Sequence, residues 1–225
     1  MNTAFETLLK KHRADFHPII KGTKGKETFY PFDFTANNTE ITGELIADTG
    51  KFSHWISKKL QDAGAAFGIG GYNENRVVYK RSKLFSGKDE RTLHLGVDIW
   101  GPAGTAVHAP LGGMVHSFAS NNNFGDYGAT VILQHQLETV TFYTLYGHLS
   151  LADLSLMRKG KFVTRGEVIG HFGLPEQNGE WPPHLHFQLI RDIGLNEGDY
   201  PGVCSVKESA KYLANSPDAN LLLTF

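Results

Sequence analysis

Short runs of apolar, β-branched and aromatic residues, separated by glycine- and proline-rich punctuation, dominate the chain from Val77 onward. Runs of this length and composition are typical of β-strands. The pattern predicts a mainly β protein whose core, roughly from Tyr79 to Arg191, is an antiparallel sheet or sandwich. The predicted strands lie at 77–79, 106–109, 113–117, 129–133, 139–146 and 184–191, with two short strands joined by tight turns within 158–170.

Helical spacing of apolar positions is confined to the two ends of the chain. A first helix is predicted from Phe5 to Phe16 and a second within Ile46 to Phe67, with a glycine-rich loop from Gly64 to Gly71. A short helix is predicted near Val206 to Leu213. The chain is therefore divided into three predicted parts: a small mixed N-terminal lobe (1–76), a β domain (77–195) and a C-terminal tail packing on the core (196–225).

Composition removes several classes of function. With 40% hydrophobic and 12% aromatic residues among 225, the chain can bury a sizeable core. A formal net charge of −1 gives no general electrostatic attraction to nucleic acid or to an anionic membrane surface. The single cysteine, Cys204, excludes an internal disulfide and a cysteine-based structural zinc site.

The first twenty residues carry Lys10, Lys11, His12 and Arg13 with no apolar run behind them. This pattern is unlike a secretory signal, and no stretch of the sequence is long and apolar enough to cross a bilayer. The sequence therefore predicts a soluble cytoplasmic protein without a membrane span.

The most informative chemistry is the histidine pair of His184-Leu185-His186, at the start of the last predicted strand. Side chains at i and i+2 of a strand point to the same face, so the two imidazoles can converge above a sheet. Leu185 and Phe187 then face the core. Taken alone, the segment also fits an exposed strand face that happens to carry two histidines.

His94 and Asp98 supply two more groups of the type that binds zinc. On a straight strand their Cα atoms would lie about 13 Å apart, at roughly 3.3 Å per residue, which is too far to share one ion. The chain must bend between them, and Gly96 permits a bend or bulge. Taken alone, the segment is better explained by a surface histidine at His94 and a turn cap at Asp98.

His148 follows an aromatic strand in Tyr146-Gly147-His148, where a lone histidine is commonly a hydrogen-bonded structural residue. The remaining histidines have no convergent partner that the sequence identifies, and they are expected to be structural or surface groups. They are His12, His17, His54, His108, His116, His135 and His171.

Taken in order, His94-Leu-Gly-Val-Asp98, Tyr146-Gly-His148 and His184-Leu-His186 resemble the motifs of the lysostaphin-type zinc endopeptidases, bacterial enzymes that cut the peptide cross-bridges and stems of peptidoglycan. The resemblance covers about 93–189 and includes segments that look like that family's structural hairpins, at 104–110 and 159–166. No motif position is substituted, whereas 1–76 has no counterpart.

The resemblance implies a duplicated-hybrid-motif, barrel-like β fold and one bound Zn²⁺. It implies that His94, Asp98 and His186 are the metal ligands, and that His148 and His184 are catalytic histidines that do not bind the metal. The expected reaction is hydrolysis of a peptide bond by a zinc-activated water. There is no HExxH motif, so the expected general base is His184 or His148.

Two other hypotheses concern the same fold. The first is a non-catalytic module that binds a peptide or partner protein and carries a structural zinc. The second is an intramolecular cover, in which the N-terminal lobe places a side chain from Phe29–Phe34 or Asn37-Asn38 on the metal. The peptidase hypothesis is preferred because a pure binding module has no need for His148 and His184.

Overall fold

Strands form most of the regular structure in the computed structural model, which describes residues 3–22 and 29–224. Its strands are β1 (Phe29–Phe32), β2 (Phe67–Gly70), β3 (Arg91–His94), β4 (Val97–Trp100), β5 (Ala106–His108), β6 (Gly113–Asn121), β7 (Gly128–Leu137), β8 (Val140–Leu149), β9 (Phe162–Val163), β10 (Val168–His171), β11 (His184–Ile190) and β12 (Val203–Ser205). Its α-helices are α1 (Ala4–Lys11), α2 (Gly43–Ala47), α3 (Thr49–Ala63) and α4 (Ser209–Asn215).

Eight strands form one sheet in the order β1-β2-β4-β11-β8-β7-β6-β9, while β10-β5 and β12-β3 are separate two-stranded ladders. The pairs in the large sheet are antiparallel except β1 with β2. The predicted mainly β, antiparallel core is confirmed. Among the described residues the sheet does not close into a barrel, because β1 and β9 remain its two edges.

Alternation along β4 and β11 separates a core face from a site face. Val97 and Ile99 of β4, with Leu185 and Phe187 of β11, are fully buried in the main hydrophobic core. This confirms the predicted inward orientation of the two β11 residues. The polar side chains that these two strands contribute to the candidate site alternate with them and lie on the opposite face. They are Asp98 on β4 and His184, His186 and Gln188 on β11.

Two local predictions are wrong. The predicted strand at 77–79 is instead part of a 3-10 helix, Val78–Arg81, in which Val78 and Tyr79 are both buried. A short apolar run does not by itself distinguish these conformations. The predicted loop 64–71 contains β2, because Gly68 serves close packing rather than a turn: a Cβ there would lie 2.1 Å from the Phe32 ring.

The helices differ from the predictions mainly in their ends. The first stops at Lys11 and is followed by a 3-10 turn, Arg13–Asp15. The second predicted helix is confirmed as α3, which starts where the Asp48 carboxylate accepts the Lys51 amide as its N-cap. The short helix α2, which was not predicted, precedes it. Gly64, in the left-handed conformation at φ 62°, ends α3. The predicted C-terminal helix is a 3-10 turn, Val206–Glu208, leading into α4.

Residues of the predicted N-terminal lobe are integrated with the sheet. β1 pairs with β2, and β2 pairs with β4, where Gly70 lies opposite Asp98. The domain boundary at 76/77 stays a prediction. None of the helices in the described stretches has the length and apolarity needed to span a bilayer.

Candidate metal centre

Three side chains on the site face converge on one point. The Nε2 atom of His94 lies 2.9 Å from Nδ1 of His186 and 3.2 Å from Oδ1 of Asp98, and the last two atoms are 3.1 Å apart. Bonds of about 2.0–2.1 Å to a tetrahedral zinc ion place neighbouring ligand atoms about 3.3 Å apart. Two imidazole nitrogens and one carboxylate oxygen in this arrangement fit zinc in chemistry and in spacing.

Strand register explains this convergence. His186 on β11 lies directly opposite Asp98 on the antiparallel neighbour β4. His94 ends β3, and the chain turns at Leu95-Gly96 before β4 starts, which confirms the predicted bend. A Cβ on Gly96 would lie 2.7 Å from the His186 ring, so a residue without a side chain is needed where His94 returns toward its partners.

Each imidazole of this group is oriented by an acceptor for its other nitrogen. Nδ1–H of His94 donates to the Gly71 carbonyl at 2.9 Å, and Nε2–H of His186 donates to Oε1 of Gln188 at 3.0 Å. The Gln188 amide is itself fixed by the hydroxyl of Ser216 at 2.9 Å. These contacts leave the nitrogens that face the convergence point with lone pairs, as zinc ligation requires.

A buried arginine that sequence reasoning missed contacts the carboxylate. Arg76 Nη1 forms an ion pair with Oδ2 of Asp98, and Arg76 Nε pairs with Glu74 at 2.6 Å. Burial by itself would raise the pKa of Asp98, but contact with His94 and Arg76 holds it well below its usual value. Burial and the charge of Arg76 lower the pKa of His94 to about 4. At neutral pH Asp98 is therefore a carboxylate and the His94 imidazole is neutral.

His148 and His184 lie beside this group with their ring centroids 4.1 Å apart. Nδ1–H of His148 donates to the Asn178 carbonyl and that of His184 to the Pro182 carbonyl, both at 2.8 Å. Among the described residues neither Nε2 has a hydrogen-bonding partner, so each offers a lone pair. Burial is the largest cause of a lowered pKa in both: well below the usual value for His148 and about 4 for His184.

The two histidines are held rigidly. His184 stacks on Trp100, with ring centroids 3.9 Å apart and planes 12° apart. His148 has a left-handed backbone at φ 62°, which is uncommon for a residue with a side chain. Such strain persists only where the surroundings enforce it, and it concentrates at functional sites. Gly147 allows this turn to pass the Tyr127 ring, which a Cβ would approach to 2.5 Å.

A cavity of about 150 Å³ opens onto these side chains. His148, His184, His186 and Asp98 line it, but His94 does not. Its remaining walls come from residues between 76 and 91, from Trp100, from the loop residues 125–127 and Trp181, and from 199–203. All five predicted site residues are therefore brought together, four of them at one cavity.

The predicted cover of the groove by the aromatic patch is unsupported. Phe34 is fully buried and packs on Trp100, with ring centroids 5.3 Å apart. The side-chain amide of Asn38 donates to the Asp33 carbonyl. Neither residue lines the cavity. The N-terminal segment instead contacts the predicted ligands through Arg76, which pairs with Asp98, and through the Gly71 carbonyl, which accepts from His94.

Comparison with known proteins finds a family model over the segment that carries the five predicted site residues. Residues 92–197 match the family model described as Peptidase family M23. The L-Ala--D-Glu endopeptidase of Bacillus subtilis (strain 168) is 28% identical over 115 residues, which cover 49% of this chain and 33% of that protein. The chain thus matches only about a third of the length of this relative.

Two solved structures are similar over parts of the chain. A zinc-containing peptidase from Vibrio cholerae is 29% identical, covering 44% of this chain and 27% of its own, with a TM-score of 0.36. The catalytic domain of lysostaphin from Staphylococcus simulans is 18% identical, covering 72% of this chain and 98% of its own, with a TM-score of 0.41. The predicted resemblance to the lysostaphin-type peptidases is confirmed over 92–197, the segment that matches peptidase family M23.

Sequence reasoning missed Arg76 and Gln188 for different reasons. Gln188 stands two residues after His186 on the same strand face, so the i, i+2 rule that pairs the histidines identifies it as well. Arg76 lies outside the family segment, and nothing in its spacing relates it to Asp98. Its position depends on how the chain before β3 packs against β4.

Proposed function

We propose that this protein is a zinc-dependent metallopeptidase in which His94, Asp98 and His186 hold the ion while His148 and His184 act on the substrate. The observation that carries the proposal is the pairing of a three-ligand cluster with two buried imidazoles whose Nε2 atoms have no hydrogen-bonding partner among the residues that the structure describes. Three protein ligands with one open position is the usual arrangement of catalytic zinc.

Zinc held by these three residues would supply a Lewis acid for the scissile carbonyl and would lower the pKa of an attacking water. The Nε2 atom of His148 or of His184 accepts the proton of that water, since both imidazoles are neutral at pH 7. The proton then goes to the leaving amine, which balances the hydrolysis. The carbonyls of Asn178 and Pro182 keep Nδ1 protonated and fix which nitrogen reacts.

We infer an endopeptidase whose substrate is a peptidoglycan-type or glycine-containing peptide. Family membership and the activity in the name of the Bacillus subtilis relative support this class of substrate. Residence in the cytoplasm stays a prediction from the sequence.

The test is a digest of purified muropeptides and of pentaglycine with zinc-loaded protein, read by mass spectrometry together with the zinc content of each sample. Wild type is expected to cut at least one substrate. His184→Ala and His148→Ala are expected to lose a factor on the order of 10²–10⁴ in rate and to keep the metal. His54→Ala, at an exposed position of α3, is the matched control and should behave as wild type.

Two results would contradict the proposal. Loss of zinc in His184→Ala, with retention in His186→Ala, would reverse the assigned roles. A wild-type protein that holds zinc but cuts neither substrate would favour the non-catalytic binding module.

A further inference from the structure

Arg76 is a buried cation at the candidate metal centre, supplied from outside the family segment. Its side chain is 2% exposed, and its backbone amide donates to the Thr92 carbonyl, which fixes the residue beside β3. The guanidinium contacts four acceptors: the carboxylates of Asp98 and Glu74, the Gly71 carbonyl and the Tyr79 hydroxyl.

The contact with Arg76 gives the two oxygens of the Asp98 carboxylate different partners. Oδ1 faces His94 and His186, whereas Oδ2 is occupied by Nη1 of Arg76. A carboxylate held through one oxygen by a charged donor presents the other as a single ligand atom. Without such a partner, Asp98 is free to rotate or to offer both oxygens to a metal.

The packing around the guanidinium leaves little freedom for it to move. Its carbon lies 5.2 Å from the centre of the Phe34 ring, and a Cβ on Gly70 would lie 2.7 Å from its Nη2. Glu74, whose side chain is 12% exposed, fixes the opposite edge through Nε. β2 therefore contributes, through the absence of a side chain at Gly70, to the space that this arginine requires.

We propose that Arg76 is a positioning residue that holds Asp98 as a one-oxygen metal ligand, so that the segment before the family domain completes the outer shell of the metal centre. This inference rests on the proposed zinc site but not on peptidase activity. Outer-shell partners of metal ligands typically change metal affinity by about 10–100-fold when they are removed.

The direction in which the zinc affinity changes when Arg76 is replaced distinguishes a positioning role from simple charge repulsion. Removal of a positive charge next to a dication would, by itself, tighten metal binding. Loss of orientation weakens it. Arg76→Met removes the charge and the hydrogen bonds while keeping an unbranched side chain, so the two effects act in opposite directions in one variant.

The experiment is a competition titration of metal-free protein with zinc and a chelating dye, together with the visible spectrum of the cobalt(II)-loaded protein. Arg76→Met is expected to raise the zinc Kd by about 10–100-fold. Arg76→Lys is expected to raise it by a smaller factor, because lysine keeps a charged donor although one ammonium cannot bridge Glu74 and Asp98 as the guanidinium does. The control is Arg91→Met, since Arg91 lines the same cavity but donates to the Leu84 carbonyl rather than to Asp98.

The cobalt spectrum reports coordination number, which a general loss of stability would not alter. A weaker visible band in the folded Arg76→Lys or Arg76→Met protein would indicate additional coordination by Asp98 and support the inference. Unchanged or tighter zinc binding with an unchanged cobalt spectrum would overturn it. If Arg76→Met does not fold, Arg76→Lys decides by the same criteria. Failure of wild type to bind zinc would overturn the proposed function along with the inference.

Discussion

Gly96 offers a sharp test of the metal centre because its effect on His186 can be worked out from contacts. A methyl group at this position would lie 2.7 Å from Cε1 and Nε2 of the His186 ring and 2.7 Å from the Phe187 carbonyl oxygen. Optimal contact distances for carbon are about 3.5–4.0 Å, so the overlap is close to 1 Å. The carbonyl belongs to β11 and cannot move without disturbing the sheet, so the imidazole or the bend must shift.

Overpacking of this kind costs typically 1–3 kcal/mol. If that cost falls on the arrangement that binds metal, it corresponds to a rise of roughly 5- to 150-fold in the zinc Kd of Gly96→Ala. The assay is a chelator competition on metal-free protein, with circular dichroism to establish that the variant is folded.

The matched control is Gly71→Ala, because Gly71 lies at the same site and its carbonyl accepts from His94. A Cβ at Gly71 meets the Glu74 side chain no closer than 3.7 Å, which is ordinary contact. Its zinc Kd should remain within about twofold of wild type. A folded Gly96→Ala protein that binds zinc as tightly as Gly71→Ala would refute the argument that the bend and the His186 ring are packed against each other.

Two further predictions concern stability. Burial lowers the pKa of His135 from its ordinary 6.5 to about 4. As the pH falls, the unfolded chain therefore takes up the proton before the folded protein does. The stability that this histidine contributes above pH 6.5 is lost progressively between pH 6.5 and about pH 4. Between pH 7 and 5 the loss is roughly 2 kcal/mol, and urea unfolding with chelator present should show that much less acid sensitivity in His135→Gln; equal slopes would contradict the assignment. Phe34→Ala should lower the free energy of unfolding by about 3–5 kcal/mol in a single transition, whereas Phe162→Ala, at a side chain 62% exposed, should change it by about 0.5 kcal/mol or less. A separate, unshifted transition for the sheet in Phe34→Ala would show that the N-terminal segment does not unfold with it.

The strand pattern predicted the sheet well where apolar and polar positions alternate or where glycine and proline end the runs. The inward orientation of Leu185 and Phe187 follows directly from that rule. The strand prediction was wrong at 77–79, because an apolar run of three residues is too short to show a periodicity. The loop prediction was wrong at Gly68 and Gly70, because these glycines serve close packing within a strand. The order of strands in the sheet could not be predicted from this pattern, because the pairing of β2 with β4 links parts of the chain that are distant in sequence.

The candidate site shows the same division. The i, i+2 histidines and the required bend at Gly96 could be predicted because strand geometry is local. The side chains that contact the predicted ligands could not be predicted. Gln188 is the exception, because it lies two residues after His186 on the same strand face. Arg76 contacts Asp98 across a sequence separation of 22 residues, and only tertiary packing determines such a contact.

The central claim is that two imidazoles and one carboxylate hold a single zinc ion while two other imidazoles stay free. Anomalous diffraction at the zinc edge, from crystals of the zinc-loaded wild-type protein, tests it directly. The predicted result is one peak at about 2.0–2.2 Å from His94 Nε2, Asp98 Oδ1 and His186 Nδ1, with His148 and His184 unbonded to it. A peak bonded to His148 or His184, or located away from this cluster, would contradict the account.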